Sequence, residues 1–184
     1  MSLQISNTLF HGTISKINKI DVTRGRDNKD FGKGFYMALD QNQAVGMMHK
    51  KYREAISRMA NKSEPGRYSE RLYKIIIDTE YAVSLNILNF EKADIDWLNF
   101  ILQCRETGGM PHNYDLVIGP TADDNTLLCL RTYWQGLYGV TGSDKAKTTL
   151  LENLEPENLG IQYFIGKQSV ADRLIVGIEE INWK

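Results

Sequence analysis

The sequence predicts an α+β domain, and three observations carry that reading. Short β-branched or aromatic runs such as Leu72-Tyr73-Lys74-Ile75-Ile76-Ile77 have the length and composition of strands. The stretch after Asp40 places Ala44, Met47, Met48, Tyr52, Ala55, Ile56 and Met59 at helical spacing, which gives one apolar face. The two kinds of element do not alternate as βαβ units do, so a doubly wound parallel sheet is not expected.

The chain of 184 residues is expected to form a single domain, 1–184, large enough to bury a core and without an internal repeat or dividing linker. With 42% hydrophobic and 24% charged residues the composition is that of a globular protein, and disorder is excluded. A formal charge of -1 argues against non-specific nucleic-acid binding, which depends on neutralising phosphates. Cys104 and Cys129 lack metal-ligand spacing and point to a reducing compartment. No apolar run approaches the roughly 20 residues of a membrane span, and no signal peptide is visible. The expected setting is cytoplasmic, with no membrane partner.

In chain order, Thr8-Leu9-Phe10 reads as a short strand ending in His11-Gly12-Thr13. His11 there is either a strand-end histidine satisfied by a neighbour or a ligand contact. Residues 14–29 turn polar and read as a loop, in which Arg24 and Arg26 are solvated charges or phosphate contacts. Asp30-Phe31-Gly32-Lys33-Gly34 follows, with two glycines one residue apart where the backbone turns tightly or is closely approached. Phe35-Tyr36-Met37-Ala38-Leu39 is a buried strand by composition, and Asp40 is an N-cap for the helix after it, whose methionines and Tyr52 are expected in the core.

Asn61 to Arg67 is a turn-rich loop, and Tyr81-Ala82-Val83-Ser84-Leu85 is expected to be a strand. Asp94 caps a helix carrying Ile95, Leu98, Ile101 and Leu102. Tyr114 to Pro120 is a strand stopped by Gly-Pro, and Asp123 and Asp124 sit at the start of a helix bearing Leu127, Leu128, Leu130, Tyr133, Trp134 and Leu137. Those adjacent acids are read as caps, and no metal is expected. Ser143 or Asp144 opens a further helix through Leu151. Gly160 to Ile165 is a late strand in which Gln162 and Phe164 share one face, and Ser169 is expected to cap a short helix to Leu174. No Ser-His-Asp or Cys-His arrangement stands out around His11, His49 or His112.

Leu9-Phe10-His11-Gly12-Thr13 resembles the His-Gly-Ser/Thr strand of ADP-ribosyltransferases of the poly(ADP-ribose) polymerase and diphtheria-toxin type. Phe31-Gly32-Lys33-Gly34-Phe35-Tyr36-Met37-Ala38 resembles their second motif nearly residue for residue, in the same order and at a similar separation. The chain is more similar still to a bacterial family of uncharacterised proteins placed in that superfamily. That family is marked by Asp-Phe-Gly-x-Gly-Phe-Tyr and by Asp-x-Val-x-Gly-Pro-x-Ala-Asp-Asp, here Asp115 to Asp124, with a late strand here degenerate around Gln162.

The resemblance implies two packed, bent, antiparallel-rich sheets with flanking helices and a cleft for NAD. It assigns catalytic places to His11, Tyr36 and Gln162. His11 would bond the adenosine ribose, Gly12 would offer its backbone to the nicotinamide amide, and Tyr36 would stack on the nicotinamide ring. Thr13, Arg24, Gly34 and Phe35 complete the implied NAD contacts. Cleaving the nicotinamide–ribose bond develops oxocarbenium character, so the site must hold a reactive conformer and stabilise positive charge.

Glutamine at 162, where the superfamily commonly has glutamate, keeps a hydrogen bond but lacks the charge and the general base. Restoring the charge with Gln162→Glu is therefore expected to raise NAD cleavage. The implied activity is mono-ADP-ribosyl transfer from NAD, as co-substrate, to a macromolecular acceptor, a protein in preference to a nucleic acid. The superfamily's habits add a role as bacterial toxin or defence component and an antitoxin-like partner. The alternatives are a catalytically silent module that binds NAD or ADP-ribose, and an NAD glycohydrolase that uses water as acceptor.

Overall fold

The computed structural model describes residues 4–59, 68–122, 124–154 and 159–183. Seven strands form one mixed sheet in the order β4-β5-β6-β2-β1-β3-β7. The strands are β1 (Thr8–Thr13), β2 (Phe35–Ala38), β3 (Arg71–Ile77), β4 (Ile87–Asn89), β5 (Leu116–Pro120), β6 (Ile161–Ile165) and β7 (Ile175–Ile181). Every neighbouring pair is antiparallel except β4 with β5. That parallel pair is joined through a helix, α3 (Ile95–Thr107), as parallel connections require.

The class is α+β, but the implied two packed sheets are replaced by one continuous hydrogen-bonded order. The reason lies at its centre. β1 runs in register with β3 from Thr8↔Ile76 to Thr13↔Arg71, and β2 with β6 from Phe35↔Ile165 to Ala38↔Gln162, whereas β1 and β2 meet in register at Phe10↔Ala38 alone. A single pair welds two multi-stranded halves into one sheet.

Side-chain alternation sorts the residues between two apolar layers. Leu9, Phe35, Met37, Tyr73, Ile75, Tyr163 and Ile165 face a layer closed by α2 (Thr79–Ala82) and α6 (Gln168–Leu174), through Ala82, Val170, Ala171 and Leu174. On the other face, Val117 and Phe164 meet α3, α4 (Asp124–Trp134) and α5 (Asp144–Asn153), with Trp97, Leu98, Ile101, Leu130, Tyr133, Ala146 and Leu150 buried between them. Beyond them on that face, α1 (Gln41–Met59) lays Ala44 and Met48 over Ala38 and Leu72.

Several expected boundaries hold for local reasons. Asp40 accepts from the Gln43 amide at 2.9 Å, Asp94 caps α3 through the Asp96 and Trp97 amides, and Ser143 caps α5 through the Ala146 amide. The expected strand at Tyr81 to Leu85 is instead the end of α2 and the turn that follows it, because the Asp78 carboxylate caps the Tyr81 amide at 2.9 Å and starts a helical turn there. Ser169 lies inside α6, whose N-cap position is Lys167. Met47 and Ile56 are exposed, so the core stripe of α1 is narrower than its spacing implied, and Ile95, Leu128 and Leu137 are likewise exposed. The loop expected at Asn61 to Arg67, Asp123 and the side chain of Asp124 lie outside the described residues.

Candidate functional site

At the weld between the halves the link beyond Phe10↔Ala38 is made by a side chain. The His11 Nδ1–H donates to the Tyr36 carbonyl at 2.7 Å, and the imidazole stacks on Phe35 with centroids 4.6 Å apart. A carbonyl only accepts, so Nδ1 carries the hydrogen and Nε2 keeps its lone pair. Burial, reinforced by the Lys51 charge, pushes the His11 pKa down to about 3, with the bond to Tyr36 partly opposing both. His11 is therefore neutral near pH 7, with Nε2 able to accept a hydroxyl hydrogen.

Next to it, Gly12 has no room for a side chain, because a Cβ would collide with the Ala44 carbonyl oxygen of α1. The Gly12 carbonyl accepts from Lys51 Nζ at 2.7 Å, so this backbone group is already engaged. Lys51 is held down to about 8 by burial and then by Lys29 and Arg26. Thr13 ends β1 with Oγ1 accepting from the Ser15 amide, and Arg24 is exposed at the end of a 3-10 turn, Val22–Arg24.

The glycine-rich stretch before β2 is clamped into a turn. Gly32 has φ 97°, and a Cβ there would crowd the Gly109 carbonyl, while one at Gly34 would strike the Ile165 carbonyl and the Phe164 ring. The Tyr36 hydroxyl closes this turn, donating to the Gly32 carbonyl at 2.6 Å and accepting from the Phe31 amide at 3.0 Å. Burial, reinforced by the Asp30 charge, keeps the phenol protonated well above its ordinary range. The half-buried ring leans on Phe164 at 4.9 Å and on Phe31 at 6.4 Å. What Tyr36 has left for a ligand is the exposed part of its ring.

The polar centre of the site is Asp30, which is 5% exposed. Its Oδ1 accepts from Arg105 Nη2 at 2.5 Å and Nε at 3.1 Å, and its Oδ2 from the Ala122 amide at 3.0 Å and Gln162 Nε2 at 2.9 Å. A buried carboxylate is tolerated when it is paired and its lone pairs are filled, and here both conditions are met. Gln162, 6% exposed, has a longer contact from Nε2 to the Pro120 carbonyl at 3.5 Å. Four separate parts of the chain are thereby pinned together. Cys104 lies close enough for burial and the Asp30 charge to push its thiol up to about 12, which makes it inert.

Of the residues singled out from the sequence, Tyr36 and Gln162 share one face of the sheet, two ladder positions apart through Tyr36↔Phe164 and Ala38↔Gln162. His11 alternates toward the other face, beside Leu9 and Phe35, and is tied to β2 by its bond to the Tyr36 carbonyl. Gly34 and Phe35 lie at the same junction, where Gly25 packs against the Gly34 backbone, whereas Arg24 beside it is exposed. Sequence reasoning missed Arg105 and Lys51 and gave Asp30 no role. Lys51 had a signal, since it follows Ala44 by seven and Met48 by three and so lies on the buried stripe of α1. Arg105 had none. Among the described residues there is no cluster of three or more His, Cys, Asp or Glu placed to hold a metal.

Fold and site together define an α+β domain with a buried polar pin beneath a glycine-turn strand. The chain belongs to the DUF3990 family, described as proteins of unknown function, whose model matches residues 7–175. Comparisons with curated proteins and with solved structures give no significant match.

Proposed function

We propose that this protein is an NAD-dependent mono-ADP-ribosyltransferase. The observation that carries the reading is the seam between β1 and β2, where a neutral His11 bonds the Tyr36 carbonyl from one face of the sheet while the Tyr36 ring and the Gln162 amide share the other. This donor set fits a dinucleotide chemically. His11 Nε2 would accept from a ribose hydroxyl, the Tyr36 ring would stack on a flat heterocycle, and the Gln162 amide would bond a second ribose. NAD supplies the reactive bond, that between nicotinamide and ribose, with nicotinamide as leaving group and a nucleophile of the acceptor taking its place. The chain's contribution is orientation and hydrogen bonding, because glutamine offers no general base.

The acceptor proposed is a protein, and the setting proposed is the cytoplasm, as a toxin or defence component restrained by an antitoxin-like partner. Among the described residues no helix is long and apolar enough to cross a membrane. A second reading is favoured by one observation: the Tyr36 hydroxyl and the Gln162 Nε2 are both consumed by internal bonds, and Gln162 is almost fully buried. That closure suits a module that binds NAD or ADP-ribose without turning it over.

Thermal melts with and without millimolar NAD, ADP-ribose or nicotinamide test the site itself. A ligand at 100 times its dissociation constant adds about 2.7 kcal/mol. No shift with any of them refutes both readings. Nicotinamide release then separates them: release stimulated by a protein lysate indicates transfer, release to water alone indicates glycohydrolase activity, and a shift without release indicates the module.

A further inference from the structure

We infer that Asp30 is a positioning residue that fixes the polarity of the Gln162 amide, so that this side chain presents its carbonyl oxygen, and not its NH2 group, to a hydroxyl-bearing ligand; the inference rests on the NAD reading above. A carboxylate only accepts hydrogen bonds. Its Oδ1 is filled by two Arg105 nitrogens and its Oδ2 by the Ala122 amide and Gln162 Nε2. Turning the amide over would bring Oε1 against Oδ2 and toward the Pro120 carbonyl, acceptor against acceptor, where now there are donors. A glutamine between neutral neighbours can sit either way round, but this one has a single orientation.

The clamp itself is held. The Arg105 carbonyl accepts from Asn28 Nδ2 at 2.6 Å, and the Phe31 carbonyl accepts from His112 Nε2 at 2.8 Å. Among the described residues, both hydrogen bonds of Gln162 leave through Nε2, so Oε1 is the atom left for a ligand. An amide whose N–H donates to a carboxylate is polarised toward its oxygen. Asp30 thereby lends part of its charge through Gln162 to whatever hydroxyl Oε1 accepts. A ribose hydroxyl held as a donor in this way becomes more electron-rich, which is what a developing positive charge on the sugar requires.

The test uses the full chain, with nicotinamide release and NAD titration on the parent, Asp30→Asn, Gln162→Glu and the double variant D30N/Q162E. In D30N the new amide can face Gln162 with either edge, so the orientation of the Gln162 side chain is no longer dictated. The expected result is a kcat about tenfold lower with KM for NAD within about threefold, because the oriented oxygen matters more as charge develops. In D30N/Q162E the donor and acceptor roles are exchanged, and kcat and melting temperature are both expected to recover above those of either single variant.

If D30N does not fold, D30N/R105Q, with both charges removed, is measured in its place. A parent that turns over NAD while the Asp30 variant matches its kcat per folded molecule, or a double variant no better than the singles, overturns the inference alone. A parent that neither binds NAD nor releases nicotinamide overturns the NAD reading and this inference with it.

Discussion

Gln162→Glu is the substitution on which sequence and structure disagree most sharply. By the resemblance a carboxylate at 162 restores a missing charge and speeds NAD cleavage. In the fold, the atom that would become a carboxylate oxygen lies 2.9 Å from Oδ2 of Asp30. Two unit negative charges at that separation repel by about 6 kcal/mol even at an effective dielectric constant of about 20. The pair can escape by keeping one proton. Holding a glutamic acid neutral at pH 7, against an ordinary pKa of about 4.3, costs about 3.7 kcal/mol, and this smaller figure sets the scale.

The sign follows from the direction of the shift. The carboxyl pKa is raised in the folded state, so the variant matches the parent below about pH 4.3 and falls behind as pH rises toward the folded value. At pH 7 a deficit of about 3.7 kcal/mol lowers the melting temperature of a domain this size by roughly 7 to 15 °C. Thermal or urea melts of parent and variant between pH 4.5 and 8 read this directly. A variant that melts with the parent at every pH would refute the placement of Gln162 against Asp30. Greater stability at pH 8 than at pH 5, relative to the parent, would refute the sign.

Two further predictions rest on the seam. Lowering the His11 pKa to about 3 means that the folded state resists the proton, so stability from this group is complete above about pH 6.5 and falls by about 1.4 kcal/mol per pH unit below it; His11→Asn should flatten that part of the stability–pH curve, and a curve parallel to the parent's would show His11 to be solvated. Gly12→Ala puts a methyl group into the Ala44 carbonyl and should cost about 3 kcal/mol by lifting α1 from β1, whereas Gly46→Ala, with open space around its Cβ position, should not destabilise, and denaturant melts that rank the two alike would reject the close packing at Gly12.

What could be read from the sequence was what short-range chemistry decides. Asp40, Asp94 and Ser143 cap helices because each side chain meets an amide two or three residues ahead. The alternation of Gln162 with Phe164 against Ile161, Tyr163 and Ile165 is imposed by the pleat, and the two layers of the core follow it. Tyr81 to Leu85 misled because five residues of mixed character fit a strand as well as a helical turn, and one cap at Asp78 decided between them. β4 has three residues, too few for any period, and β7 carries Glu179 and Glu180 on the open edge of the sheet, where polar residues are favoured and an apolar strand pattern is not required. The pin could not be read at all. Asp30 and Arg105 are 75 positions apart and Asp30 and Gln162 are 132 apart, and nothing local to either partner announces the other.

Glutamine at 162 and aspartate at 30 explain each other. A glutamate in that place would be a second carboxylate against one whose four hydrogen bonds already come from Arg105, Ala122 and residue 162. The position needs a donor toward Asp30 and, if the site handles a sugar, an acceptor toward the ligand, and among side chains of this length only glutamine supplies both at neutral pH. On the proposed reading, glutamine in place of a glutamate does not by itself remove negative charge from the site, because Asp30 supplies it at the next hydrogen bond, balanced by Arg105. On this argument residue 162 cannot be judged alone as a sign of activity or inactivity, and the unit to weigh is the pair.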